Sequence, residues 1–172
     1  MFFKRFKTLS IQKFINRELE GRKVDFSTSK IESVGVLFNY DVYHDYSYFR
    51  KMIKNICADE NKVRFLSFID SKSQKPTSWD AFFSVEDFGW HGNYSNGEIL
   101  DFASYNFDLL ISYYKPDNLY LNFLTAITKA ELKVGISNDD QRLHDLIIDI
   151  PLQEKDVFNI EINKYLTGLN KI

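Results

Sequence analysis

Turn-forming residues are scarce in this sequence, which has seven glycines and three prolines among 172 residues. Such a composition argues against an all-β or loop-rich design. The single cysteine, Cys57, cannot form an internal disulfide, and we therefore expect a protein of the reducing cytoplasm. No window approaches the roughly 18 apolar residues of a membrane-spanning helix. Lysines interrupt the apolar residues of the N-terminus, so a secretion signal is not expected there.

Hydrophobic and aromatic residues are plentiful by contrast. They make up 44% and 16% of the chain, with 16 phenylalanines and 10 tyrosines, and charged residues add 27%. This balance predicts a packed core rich in aromatic rings rather than a disordered chain. The apolar pattern around Cys57 favours a buried thiol over a nucleophile.

Hydrophobic periodicity predicts an alternation of helices and strands. The predicted helices cover residues 5–21, 46–58, 98–105, 117–130 and 153–170. The predicted strands cover residues 33–38, 62–70, 81–85, 107–114, 132–137 and 145–150. Alternation of this kind predicts a three-layer α/β/α sandwich with a mostly parallel, Rossmann-like sheet. We divide the chain into a basic N-terminal helix and linker, residues 1–30, and a single α/β domain, residues 31–172.

The helical periods also predict which apolar side chains face the core. Among those assigned to inner faces are Phe6, Leu9, Leu100, Val157, Tyr165 and Leu169.

Several segments carry a family resemblance, namely SVGVLFNYD, DFGWHGN, FDLLISYY, LNFLTAITKAELKVGI and EINKYLTGLNKI. Together they resemble a family of uncharacterised proteins from Bacteroidota, each about the length of this chain. That resemblance implies no activity and no site residue. FDLLISYY and LKVGI are also similar to the N-terminal half of heptosyltransferase-like glycosyltransferases, which implies an α/β fold only.

Motifs for cofactors and metals are missing. A dinucleotide site needs a glycine-rich turn after the first strand, but SVGVLF is followed by NYDVYHDYS, and the chain has no GK[ST] phosphate loop. We therefore expect no bound cofactor. His44, His91 and His144 do not stand at metal-ligand spacing, so no metal site is predicted either.

Polar and aromatic residues just beyond the predicted strands are the candidates for a small-ligand site, because α/β proteins bind ligands there. Those candidates are Asn39, Asp41, Tyr113, Tyr114, Lys115 and Ser137. The loop DFGWHGN adds Trp90 and His91, for which two interpretations stay open. Its tryptophan either plugs the end of the sheet or contacts a ligand.

Positive charge is concentrated at the N-terminus. Residues 1–30 hold eight Lys or Arg against three acids (8 − 3 = +5), and the rest holds 14 against 21 (14 − 21 = −7). The candidate surface cations are Lys4, Arg5, Lys7, Lys13, Arg17, Arg22 and Lys23. Either the helix docks on the core with a solvated basic face, or it contacts RNA phosphate or an anionic membrane.

The leading functional hypothesis is a non-catalytic, cytoplasmic binding protein that contacts RNA, a membrane surface or a protein partner through this helix. The alternative is a small enzyme transferring a sugar or phosphoryl group at the strand ends.

Overall fold

The structure, a computed structural model, describes residues 2–22, 29–57, 59–70, 81–90, 92–115, 117–136 and 140–172, with only the backbone of residues 2–4. Its helices are α1 (Phe2–Glu20), α2 (Tyr46–Ile53), α3 (Gly97–Ser104), α4 (Leu119–Ile127) and α5 (Lys155–Gly168). Its strands are β1 (Val34–Asn39), β2 (Val63–Phe68), β3 (Ala81–Phe83), β4 (Phe107–Tyr113), β5 (Ala130–Gly135) and β6 (Leu146–Ile147). Every predicted helix and strand has its counterpart, although α2, α4, α5, β2, β3, β4 and β6 are shorter than predicted.

The strands form one sheet in the order β3-β2-β1-β4-β5-β6, and every neighbouring pair is parallel. This is the strand order of the doubly wound folds, with its reversal point between β1 and β4. Val34 of β1 is paired with Val63 of β2 on one side and with Leu109 of β4 on the other. Central strands buried on both faces explain why SVGVLF and FDLLISYY read as continuous apolar runs.

Helices cover both faces of the sheet, which confirms the predicted three-layer sandwich. One core lies between the sheet and helices α2 and α5, where Phe49, Met52, Phe158 and Ile162 are buried. The other core lies between the sheet and helices α1, α3 and α4. Side chains of β1 alternate between the two layers, since Phe38 belongs to the first core and Leu37 to the second.

Helix α1 is part of the second core. Its residues Ile11, Ile15 and Leu19 are buried, four residues apart, and its Phe14 ring lies 5.2 Å from the ring of Phe123 in α4. The predicted boundary at residue 30 stays a prediction, because packing of α1 against α4 does not decide whether residues 31–172 fold alone.

Six residues predicted to face the core are instead exposed: Phe6, Leu9, Leu100, Val157, Tyr165 and Leu169. Helices α1 and α5 each bury a narrow stripe of i, i+4 positions, such as Phe158, Ile162 and Leu166 in α5. Apolar residues beside that stripe point into solvent, and a period alone does not distinguish the two sets.

Candidate functional site

Two of the predicted ligand residues, Asn39 and Asp41, lie at the carboxyl end of β1. The side chain of each accepts a hydrogen bond from a loop backbone N–H. Asn39 Oδ1 accepts a hydrogen bond from the Asp41 backbone N–H at 3.0 Å. Asp41 Oδ2 accepts one from the Asp70 backbone N–H at 2.6 Å. These bonds hold the segment after β1 against the end of β2, so part of the polar capacity of both side chains is used within the fold.

Tyr113 and Tyr114 do not line a common cleft. They leave the sheet on opposite faces, and both are buried. Tyr113 Oη donates to the Leu152 carbonyl at 2.7 Å, and Tyr114 Oη shares a 2.5 Å hydrogen bond with Thr125 Oγ1. Burial raises the pKa of both phenols far above neutrality, so both stay protonated and serve as structural hydrogen-bonding groups.

Aromatic rings fill the region beside the reversal point, on the α2 and α5 side of the sheet. The Tyr43 ring lies 5.5 Å from Tyr113 and 5.6 Å from Phe49, and Phe49 lies 5.2 Å from Tyr113. Phe158 of α5 adds a further ring 5.1 Å from Tyr113. Doubly wound folds bind ligands at the reversal point, beyond the carboxyl ends of the strands. In this protein aromatic rings fill that space on the α2 and α5 side of the sheet.

The N-terminus of α2, which follows β1, carries its own anion. Asp45 is the N-cap, and its Oδ1 accepts from the Tyr48 backbone N–H at 3.1 Å. Hydrogen bonds from Ser47 and Tyr48 lower the pKa of Asp45. A charged carboxylate at this helix end would repel the phosphate that dinucleotide-binding folds place there.

Two of the four remaining predicted ligand residues, Lys115 and Trp90, are among those that the structure describes. Lys115 is exposed, while Ser137 and His91 lie outside the described residues. Trp90 is exposed in a turn of the other helical layer. The enzyme alternative therefore stays a prediction. Two of its candidate residues, Tyr113 and Tyr114, are buried in the core.

A buried cluster of ionisable groups, which sequence reasoning missed, lies beside β5. His144 packs flat on Gly135, where a Cβ atom would come within 2.5 Å of the ring. Both ring nitrogens are buried, and neither has a hydrogen-bond partner among the residues that the structure describes. Burial, together with the charges of Lys133 and Arg22, lowers the pKa of His144 to about 4.

Lys133 and Arg22 complete this cluster. Lys133 Nζ donates to the Thr125 and Ala126 carbonyls in the last turn of α4, at 2.5 and 3.2 Å. Burial lowers the pKa of Lys133 to about 7, and nearby Arg22 lowers it further than Asp145 raises it. Arg22 pairs with Asp145 at 2.5 Å, with 14% and 2% of the two side chains exposed. Arg22 therefore ties the end of α1 to the loop before β6 and is largely withdrawn from the predicted basic surface.

An open groove of about 290 Å³ lies where β2 extends beyond the start of β3. Its charged lining comes from Arg50 and Arg64 on one side and Glu98 and Asp101 on the other. Opposite charges in equal number give it no preference for an anion or a cation. Among the described residues, no group of three or more His, Cys, Asp or Glu side chains could hold a metal ion.

The outer face of α1, defined as Arg5, Phe6, Leu9, Lys13 and Arg17, is an exposed surface that combines cations with apolar side chains. Phe6 and Leu9 are 57% and 58% exposed, and Arg5, Lys13 and Arg17 are exposed beside them. Of the other predicted cations, Lys7 Nζ donates to the Val85 carbonyl at 3.4 Å. The Lys4 side chain and Lys23 lie outside the described residues.

None of the helices in the described ranges is both long and apolar enough to span a bilayer. The sequence matches a family described as a family of unknown function, DUF6913, over residues 7–169. The chain belongs to this family. No curated protein matches the chain. No solved structure matches it. The expected likeness to heptosyltransferases therefore stays an expectation.

Proposed function

We propose that this DUF6913 protein is a non-catalytic, cytoplasmic protein that binds reversibly to an anionic membrane surface through the outer face of α1. The observation that carries the proposal is the exposure of Phe6 and Leu9 between exposed cations on a helix docked by its opposite side. Helices that lie in a membrane interface present this arrangement, with apolar side chains entering the headgroup region and cations meeting anionic lipids.

Net charge favours α1 over α5 as the helix that binds an anionic membrane, although both expose apolar side chains. Helix α1 contains five Lys or Arg against two acids, Glu18 and Glu20 in its last turn, a net charge of 5 − 2 = +3. Helix α5 also exposes apolar side chains, including Ile160 at 64%, but its two lysines are balanced by Asp156 and Glu161. A negative surface would therefore attract α1 and not α5.

The exposed aliphatic side chain of Leu9 favours a membrane over RNA as the partner. RNA-binding surfaces use aromatic rings on which bases stack, and Leu9 offers no such ring. A bilayer interface accepts an aromatic and an aliphatic side chain equally well, because both gain by leaving water.

The expected affinity is modest. Each cation near an anionic bilayer contributes about 1 kcal/mol. Phe6 and Leu9 are roughly half covered in the free protein, so entry into the headgroup region adds about 1 kcal/mol for each. Binding of this strength is reversible and depends on salt.

The test is flotation of the purified chain with vesicles of phosphatidylcholine, alone or mixed with phosphatidylserine, at low salt. We expect binding only to the mixed vesicles. The double variant Arg5→Gln/Lys13→Gln should bind about thirtyfold more weakly, since two cations of about 1 kcal/mol each are lost. The matched control Lys51→Gln/Lys129→Gln removes the same charge from exposed sites outside α1 and should bind like the natural chain.

A second pair of variants tests the apolar contribution. Phe6→Ser/Leu9→Ser should bind about thirtyfold more weakly without loss of thermal stability, whereas Val157→Ser/Ile160→Ser removes exposed apolar groups from α5 and should change nothing. The proposal would be contradicted if the natural chain bound pure phosphatidylcholine vesicles as well as the mixed ones. It would also be contradicted if the two control variants lost as much vesicle binding as the α1 variants. Tight binding of single-stranded RNA with no vesicle binding would assign the same face to nucleic acid.

A further inference from the structure

The turn that carries Trp90 is built against α1. The Gly89 backbone N–H donates to the Asn93 carbonyl at 2.7 Å, and the Asn93 N–H donates to the Trp90 carbonyl at 3.1 Å. Just outside the turn, Phe88 and Tyr94 form an antiparallel bridge. These bonds close a tight turn that begins at Trp90.

A glycine with positive φ anchors this turn to two helices. Gly92 has φ +79°, a conformation that side chains rarely adopt. A Cβ atom on it would lie 2.9 Å from the Phe14 ring of α1 and 3.0 Å from Phe123 of α4. The backbone of the turn therefore lies directly on the helical layer that contains α1.

Phe14 connects the turn to the outer face of α1. The Arg17 guanidinium carbon lies 4.7 Å from the centre of the Phe14 ring, and the same ring contacts the turn at Gly92. Trp90, two residues from Gly92, is 44% exposed. The turn that carries Trp90 and the exposed Arg17 guanidinium thus both contact the Phe14 ring, at the border of the outer face.

We propose that Trp90 is a second membrane contact, which inserts into the same lipid interface as Phe6 and Leu9. This inference rests on the proposed function. Tryptophan suits that place because its ring is mostly apolar while its N–H can bond to headgroups or water. Two contacts from separate segments would also fix the orientation of the protein on the membrane, which a single helix would leave free to roll.

Tryptophan fluorescence provides the test, because the chain has two tryptophans, Trp79 and Trp90. In the Trp79→Phe variant, all tryptophan emission comes from Trp90. With vesicles of phosphatidylcholine and phosphatidylserine we expect a blue shift and quenching by lipids brominated near the headgroup end of the acyl chain. Trp90→Ala should weaken vesicle binding about tenfold or more, since much of an indole would no longer leave water.

Leu100→Ala is the matched control, since Leu100 is an exposed apolar residue on α3 in the same layer, and it should bind normally. If Trp79→Phe lowers the melting temperature, 5-fluorotryptophan in the natural chain answers the same question, with Trp90→Phe assigning the resonance. Vesicle binding with unchanged Trp90 emission and normal binding by Trp90→Ala would overturn this inference and leave the α1 proposal standing. Failure of the natural chain to bind vesicles would overturn both.

Discussion

Acid should destabilise this protein through His144 before its carboxylates titrate. In the folded chain, burial and the neighbouring cations lower the pKa of His144 to about 4 from an ordinary value of 6.5. The unfolded chain therefore binds a proton as the pH falls below about 6.5, and the folded chain does not until about pH 4. Above pH 6.5 the His144 ring is neutral in both the folded and the unfolded chain, and stability is at its full value. As the pH falls from about 6.5 to about 4, only the unfolded chain gains a proton, so the free energy of unfolding decreases.

The size of the effect follows from the two pKa values. Over the whole window the loss approaches about 3 kcal/mol, and between about pH 7 and about pH 5 it amounts to about 2 kcal/mol. Urea unfolding at these two pH values measures it directly. His144→Phe keeps a flat ring over Gly135 but cannot titrate, so it should lose about 2 kcal/mol less than the natural chain over the same interval.

The exposed His44 lies outside the buried cluster, and His44→Phe is the matched control for replacing a histidine by a phenylalanine. The reasoning would be refuted if the natural chain and His144→Phe lost the same free energy of unfolding. A His144 pKa near 6.5, measured by NMR titration of the folded protein, would refute it as well.

Two further substitutions test the contacts that hold α1 and the Trp90 turn. Arg22→Ala should destabilise the fold by about 3 kcal/mol in thermal or urea unfolding, because it leaves a buried carboxylate unpaired. Arg17→Ala removes a 70% exposed side chain and should cost less than about 1 kcal/mol; equal effects would show that the Arg22 pair is not special. Gly92→Ala should cost about 1–3 kcal/mol, since it combines positive φ with a clash, whereas Gly97→Ala has open space around it. A Gly92→Ala protein as stable as Gly97→Ala would mean that the turn is not packed on α1.

Much of the fold could be predicted from the sequence because its central strands are buried on both faces. Runs such as SVGVLF and FDLLISYY have no polar alternation, and the strands they predict are β1 and β4. The strand order could not be predicted, because an alternation of helices and strands is compatible with several orders of a parallel sheet.

The candidate sites were harder to predict because they depend on which face a side chain takes. Tyr113 and Tyr114 end the same strand, yet consecutive residues point to opposite layers and both rings enter the core. His144 and Gly135 lie nine positions apart and meet because β6 pairs with β5. Phe6 and Leu9 fit the helical period of α1 but lie outside its buried stripe, which is what makes them available for binding.

The most direct test of membrane binding is the water accessibility of a probe on the outer face of α1. A spin label on Leu9→Cys can be attached selectively, because Cys57 is buried and burial raises the pKa of its thiol. On vesicles containing phosphatidylserine, this label should become protected from a water-soluble paramagnetic reagent, while a label on Ile160→Cys stays accessible. Protection at residue 160 with none at residue 9, in protein that is bound to the vesicles, would contradict the account.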